Sequence, residues 1–378
     1  MGDVVKMKKV LFLIPTLTGG GAEKVLVNLV NNINKEKYSI TVMTLFNIGE
    51  NIKYLNRDVE YKYFLQKRFR GNKYFFKFFS PSLLYKLIIK DEYEVVISYL
   101  AGPTTRIVAG CKNKNVKLIN WVHNEFHSVK KLSTSYRSVN ETIDCYNKYH
   151  STVFVAETAK QAFEKILPEY NGSYKVLYNT VETGQIIKKS EEPVIDIIFN
   201  KNTINIISVG RFAKQKGYER LLEIINYLVT KDKLNIHLYL LGKGELEEKY
   251  KKIISTYNLS KHVTLLGYKD NPYKYVKKAD LFVCSSYHEG FSTAVTEALI
   301  VGTPVISTRC SGMTELLGEN DEYGIIVEND VESLYEGLKS LLKEKEELYK
   351  LKEVANKRGI YFNTESTVNK VEQFLGNL

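Results

Sequence analysis

Residues 288–299 read HEGFSTAVTEAL, with one carboxylate, Glu289, before Phe291, Ser292 and Thr293 and a second, Glu297, eight positions after the first. The preceding ADLFVCSS reads as a strand, YHEGFST as a loop, and AVTEALIVG as a helix ending near Gly302. Ser292 and Thr293 then lie at a helix start, where the amides of Phe291, Ser292 and Thr293 can point at a phosphate. A loop carboxylate such as Glu289 can accept hydrogen bonds from sugar hydroxyls, and Glu297, two turns into the helix, would reach a ribose diol. Pairs of glutamates at this spacing arise often by chance. Their specificity comes from their position and from two cations upstream.

Those cations are Arg211 and Lys216 in SVGRFAKQKGYERLL, placed after a strand and before a helix. A diphosphate would suit them; a solvated loop is the alternative. In YLLGKGELEEKY, Gly242 and Gly244 flank Lys243 at another strand-to-helix turn. Close approach of a flat ligand or a simple turn would each explain them. In TLTGGGAEKVLVNLV, Gly20 and Gly21 open a helix whose apolar face is Ala22, Val25, Leu26, Leu29, Val30 and Ile33. Its first amides favour an anion, with a plain tight turn as the other reading. The dinucleotide fingerprint G-x-G-x-x-G fails, because counting from Gly19 its last position is Lys24, and this disfavours a nucleotide-dependent oxidoreductase.

Positioning these groups requires a scaffold, and the pattern supplies one. KVLFLIP, YSITVMTLF, YEVVISYL and VKLINWV alternate with helical stretches, and the alternation restarts with INIISVGRF, NIHLYLLGKG, VTLLGY, ADLFVCSS and TPVIST. Strands alternating with helices predict an α/β fold of two doubly wound parallel sheets. A chain of 378 residues suits two domains of roughly 150 to 200 residues each. The expected organisation is a domain over 1–183, a polar linker over 184–202, a second domain over 203–363, and a last helix in 364–378 that could pack back on the first domain. Such sheets bind ligands at the carboxyl ends of their strands, so the site is expected between the domains.

The charge is unevenly spread: residues 1–183 hold 27 Lys+Arg against 16 Asp+Glu, and residues 184–378 hold 27 of each. Within the first half, residues 62–90 contain eight Lys/Arg, nine aromatics and no acid. Lysines attract anionic head groups and aromatics favour the interface, so the stretch predicts docking on an anionic membrane surface; an ordinary surface helix burying its Phe residues is the alternative. Nucleic acid is not expected as a partner, since no recognised motif accompanies the basic stretch. Cys111, Cys145, Cys284 and Cys310 are widely spaced, which suggests neither a disulfide framework nor a zinc site and fits a cytoplasmic setting. The N-terminal apolar run is too short to span a bilayer and is broken by Pro15, and Lys6 stands where a myristoylation signal needs Ser or Thr. Neither a leader, a spanning helix nor a lipid anchor is expected.

GGGAEKVLVNL, VGRFAKQKG, LGKGEL and HEGFSTAVTEALIVGTPVISTRCSGMTELL resemble the retaining glycosyltransferases of family 4, which have the GT-B fold of two Rossmann-like domains facing a cleft. The resemblance covers essentially the whole chain and is most specific over 205–330. It implies that Glu289 and Glu297 form the E-x7-E element, the first facing the donor sugar and the second the nucleotide ribose. It implies that Arg211 and Lys216 hold the donor diphosphate, that Gly20 and Gly21 approach it, that His123 in NWVHNEF lies beside the transferred sugar, and that Tyr268 helps frame the base. For His123 a buried, hydrogen-bonded core histidine is the alternative. No D-x-D is present, so the carboxylate pair that commonly binds a metal-coordinated donor in the other large glycosyltransferase fold is missing, and no metal or cofactor is expected. The implied activity is metal-independent, retaining transfer from a UDP-sugar to a polyprenyl-diphosphate-linked or cell-surface glycan precursor, of the capsule, exopolysaccharide, O-antigen or teichoic-acid kind. The implied setting is peripheral, on the cytoplasmic face of the membrane. A GDP-mannose-dependent transferase and a catalytically silent membrane- or partner-binding module are the competing readings.

Overall fold

The computed structural model describes residues 7–378. Gly2 and Lys6, on which the expectation about a lipid anchor rests, lie outside the described residues. The chain divides into two compact units, one running through Val181 and taking in Thr364–Leu378, the other Glu182–Asn363.

The first unit is built on seven parallel strands: β1 Lys8–Ile14, β2 Tyr38–Phe46, β3 Glu60–Leu65, β4 Val95–Ser98, β5 Lys117–Val122, β6 Ser151–Phe154 and β7 Ser173–Val176. Their order in the sheet is β3-β2-β1-β4-β5-β6-β7. Val10 to Ile14 of β1 are wholly buried, as expected of a central parallel strand covered by helices on both faces. The helix Gly21–Asn32 turns Val25, Leu26, Leu29 and Val30 into the core, matching the face read from its periodicity. The C-terminal helix Thr364–Gly376 belongs to this unit: Lys8 Nζ donates to Leu375 O at 2.8 Å, Tyr38 Oη to Glu372 O at 2.8 Å, and the Asn34 amide to Glu372 Oε1 at 2.7 Å.

The second unit repeats the scheme with β8 Ile204–Val209, β9 Ile236–Leu241, β10 Val263–Gly267, β11 Leu281–Cys284, β12 Val305–Thr308 and β13 Ile325–Val327, in the order β10-β9-β8-β11-β12-β13. Both sheets are Rossmann-like and doubly wound. In each, the strand order reverses between the first strand and the fourth (β1 and β4, β8 and β11), and ligands bind at the carboxyl ends of strands flanking such a point.

Residues 184–202, read from the sequence as a polar linker, differ in the structure. They begin within the helix Thr183–Ser190, which buries Ile186. Their polar side chains have partners within the second unit: Asp196 accepts from Tyr275 Oη at 2.7 Å and from Lys269 Nζ at 2.6 Å, and Glu192 Oε2 accepts from Asn271 Nδ2 at 2.9 Å. Polarity there reflects these distant pairings, which local composition does not report.

Candidate active site

Strand β8 ends at Val209, and the chain then runs through Gly210 and Arg211 to a short 3₁₀ turn, Lys214–Lys216. Gly217 follows in the left-handed region at φ 63°, and a Cβ there would lie 2.1 Å from the Ser285 carbonyl oxygen. Only glycine lets the β8 loop come this close to the chain leaving β11. The approach carries Lys216 to the switch point. Its Nζ lies 2.7 Å from Glu289 Oε1, the same oxygen to which Ser286 Oγ donates at 2.5 Å. Burial disfavours the ammonium, but the Glu289 carboxylate, aided by smaller effects of Cys284 and Tyr218, outweighs it and holds the Lys216 pKa above its ordinary value. A narrow recess at the ends of β8 and β11 is lined by Lys216, Ser208, Tyr218, Ser286 and Ser292. A cation, a carboxylate and hydroxyls thus meet at the switch point.

The loop that carries Glu289 is braced by a residue the sequence reading missed. Arg220, 3% exposed on the helix Tyr218–Thr230, donates to Ser285 O at 3.0 and 2.7 Å, to Ser286 O at 2.9 Å and to Asn329 Oδ1 at 2.8 Å. Its guanidinium also stacks 4.0 Å from the Tyr287 ring centroid. Thr308 Oγ1 (2.7 Å) and Cys310 Sγ (3.0 Å) donate to the same Ser286 carbonyl. Burial pushes the Cys310 thiol up to about 12, so it keeps the proton it donates. Gln215 ties the far side, its Nε2 donating to His288 O at 2.7 Å and its carbonyl accepting from the Tyr287 amide at 2.8 Å. A basic residue inside an amphipathic helix gives no local sign of this role; only its place on the buried face, among Leu221, Leu222 and Ile224, was readable.

Arg211 stands apart from the Lys216–Glu289 pair. Its side chain is 76% exposed, and its recorded partner is Glu245, 3.7 Å away. Gly242 and Gly244 have a cause within the chain itself: a Cβ at Gly242, where φ is 143°, would sit 1.9 Å from Gly210 O, and one at Gly244 would sit 2.4 Å from Phe212 O. Hydrogen bonds from the Gly210 amide to Leu241 O (2.9 Å) and from the Phe212 amide to Lys243 O (3.0 Å) hold the two loops together. These glycines serve backbone packing that positions Arg211. Tyr268 is exposed and sits under the Lys243 ammonium, 5.1 Å from its ring centroid.

The helix after Glu289 spans Thr293–Ile300, and Ser292 caps it by accepting from the Val295 amide at 3.4 Å. Phe291 is buried and packs edge-on against Phe362, fixing the entry to the helix, while Thr293 is half-buried at its first turn. Glu297 is buried and accepts from Tyr273 Oη at 3.4 Å.

In the first unit, Gly20 and Gly21 open the helix after β1, as the pattern predicts. The helix start is not vacant of charge, however. The Glu23 carboxylate folds back over Gly20 and accepts from Thr18 Oγ1 at 3.2 Å, and Glu50 lies against Gly19. Burial, together with the nearby Glu50 charge and against the hydrogen bonds it accepts, raises the Glu23 pKa. The anion expected at these amides is therefore matched by a side chain of the same helix. His123 follows β5, is 7% exposed and packs against Tyr99 at 4.6 Å between ring centroids. Burial lowers its pKa to about 3, so the ring is neutral at ordinary pH, and its Nε2 has no hydrogen-bond partner. The ring is buried and hydrogen-bonded to the Tyr99 backbone, as the core-histidine alternative expects, and only Nε2 is left without a partner.

Residues 191–358 match the family Glycosyl transferases group 1. A Campylobacter jejuni protein, N-acetylgalactosamine-N,N'-diacetylbacillosaminyl-diphospho-undecaprenol 4-alpha-N-acetylgalactosaminyltransferase, is 31% identical over 261 residues, covering 68% of this chain and 65% of that protein. Residues 191–358 thus carry a group 1 glycosyl transferase region. Another relative, the uncharacterized glycosyltransferase MJ1059 of Methanocaldococcus jannaschii, is 32% identical over 54% of this chain and 51% of that protein. The chain thus aligns with 65% and 51% of the lengths of these two curated relatives. Among solved structures, Anabaena HepE in complex with UDP and glucose superposes with a TM-score of 0.75 at 16% identity, over 99% of this chain and 100% of that one, which shows the shared GT-B fold. No described helix of the chain is long and apolar enough to cross a membrane.

Proposed function

We propose that this chain transfers a sugar from a UDP-sugar to a lipid-linked glycan, with retention of anomeric configuration and without a metal ion, as a peripheral protein on the cytoplasmic membrane face. The observation that carries the reading is the Lys216–Glu289 pair at 2.7 Å, at the switch point of the second sheet just before the helix Thr293–Ile300. Lys216 and Arg211 meet the diphosphate, and their charge stabilises the leaving group as its own charge grows. Glu289 orients the donor sugar through its hydroxyls, and Glu297 reaches the ribose. The acceptor oxygen attacks on the face from which the diphosphate departs; the anomeric carbon–oxygen bond to phosphate breaks, and a phosphate oxygen takes the acceptor proton. His123, neutral and with an open Nε2, would lie beside the transferred sugar. The UDP assignment draws support from HepE, described with UDP and glucose bound, and the acceptor class from the Campylobacter relative, whose name specifies a diphospho-undecaprenol-linked substrate.

Calorimetric titration of UDP and of GDP in EDTA tests this, with Arg211→Ala and Lys216→Ala as controls. UDP should bind in preference to GDP and weaken in both variants. Preference for GDP would move the donor to a GDP-sugar, and binding of neither would remove the donor site and favour a non-catalytic module.

A further inference from the structure

The basic aromatic stretch 62–90 is several elements in the fold: the end of β3, a turn at Gly71, a helix Asn72–Phe78 and a second helix Pro81–Ile88. The first helix divides its aromatics. Phe76 is buried against Phe46, and Phe75 packs edge-on against Phe69, Phe76 and Phe79. Tyr74 and Phe78, four residues apart and so on one face, are 79% and 76% exposed, and Leu83 and Leu87 of the next helix are exposed as well. Lys67, Arg68, Arg70 and Lys86, in the segments that flank this helix in the chain, are exposed, and among the described residues none of the four is in an ion pair, although Arg68 lies over the Phe46 ring. Lys62 is different: Glu60 and Asp91, just outside the acid-free stretch, each lie 2.8 Å from its Nζ, so it adds little to the patch.

The helix is also held firmly from beneath. The wholly buried Arg106 pairs with Glu141 at 2.7 Å and donates to the carbonyls of Phe76 and Phe79, and Arg137 donates to those of Lys77 (2.7 Å) and Phe78. Glu141 Oε2 also accepts from the Arg137 amide at 2.7 Å, so one carboxylate serves both arginines. Two guanidinium groups thereby satisfy the carboxyl end of a helix only seven residues long, too short to persist on its own propensity. The molecule fixes two large aromatics in water, flanked in the chain by cations without ion pairs, where a flexible loop would have let them fold inward.

We infer that Tyr74 and Phe78 enter the interfacial region of an anionic lipid bilayer, with Lys67, Arg68, Arg70 and Lys86 against its head groups. Exposed aromatics supply the apolar contact and the cations supply charge complementarity, a combination suited to a negatively charged, partly apolar surface. A second copy of the patch would set like charges against each other and is disfavoured. The inference specifies the docking surface of the peripheral membrane role proposed above, but it stands on residues of the first unit alone.

The test is co-sedimentation of the full chain with phosphatidylcholine vesicles containing or lacking phosphatidylglycerol, for the parent, Tyr74→Ser/Phe78→Ser and Lys67→Ser/Arg68→Ser/Arg70→Ser. The parent should partition onto the phosphatidylglycerol vesicles, and removal of three cations should lower partitioning on the order of a hundredfold. The aromatic variant should lose binding that persists at high salt. UDP titration of each variant reports folding and the donor site separately, so a failed donor assignment and a failed docking surface give different results. No sedimentation of the parent, equal sedimentation with neutral vesicles, unchanged sedimentation of both variants, or retention on single-stranded RNA without vesicle binding would each overturn the inference.

Discussion

Lys216 Nζ and Glu289 Oε1 are 2.7 Å apart, with the lysine side chain 21% and the glutamate side chain 9% exposed. The pair joins the loops that follow β8 and β11, whose residues lie 73 positions apart in the chain. An incoming diphosphate would share the lysine with the carboxylate, so the two residues act on a ligand in opposite senses.

Glu289→Gln should therefore separate binding from transfer. Loss of the negative charge leaves Lys216 free for phosphate, so UDP should bind no more weakly than to the parent. Sugar transfer should fall on the order of a hundredfold or more, because the group that orients the donor sugar is weakened. Calorimetry with a turnover assay checks both, and near-normal turnover would remove Glu289 from the site.

Arg220 makes a different prediction, since it touches the loop rather than the recess. Arg220→Leu removes the side-chain donors to the Ser285 carbonyl and one of three to the Ser286 carbonyl, and should cost about 2–4 kcal/mol of stability. Arg220→Lys should recover part of the stability, but it cannot serve both carbonyls and Asn329 in the same geometry, so donor KM should remain raised. Thermal unfolding and donor KM measured together decide this; a full return of KM in the lysine variant would contradict the bracing role.

Gly242→Ala places a methyl group 1.9 Å from Gly210 O at a φ of 143°, which should cost about 3 kcal/mol or more and displace the loop carrying Arg211. Gly184→Ala is the control, because nothing lies within 4 Å of a Cβ there, and its effect should stay within about 1 kcal/mol. Denaturant midpoints of the two variants give the comparison.

His123 sets a pH dependence. Its folded pKa of about 3 lies below the ordinary value of 6.5, so between these limits the unfolded chain binds a proton that the native chain does not. Stability from this residue is complete above pH 6.5 and falls by about 1.4 kcal/mol per pH unit as the pH drops toward 3. His123→Asn should flatten that decline. Urea unfolding at pH 7 and pH 5.5 measures it, and equal slopes in parent and variant would show that His123 titrates normally.

Much of this protein follows from local pattern. Strands alternating with amphipathic helices require covered parallel sheets, and the glycines after β1, β8 and β9 mark turns where chains approach closely. The types and spacing of Lys216, Ser292 and Glu289 placed them at the start and end of neighbouring elements, and the fold brings Lys216 to Glu289 and lines one recess with Lys216 and Ser292. Tertiary structure decided who pairs with whom. Nothing near Arg220 in the sequence foretells that it reaches carbonyls 65 and 66 residues away, nor near Lys62 that Asp91 neutralises it. Glu23 and Glu50 converge on the glycine loop only because the turn after β2 returns beside it. The same reason separates the two sets: periodicity and turn chemistry act within a few residues and are written locally, whereas burial and the partner of a charge depend on contacts that exist only after the chain has folded.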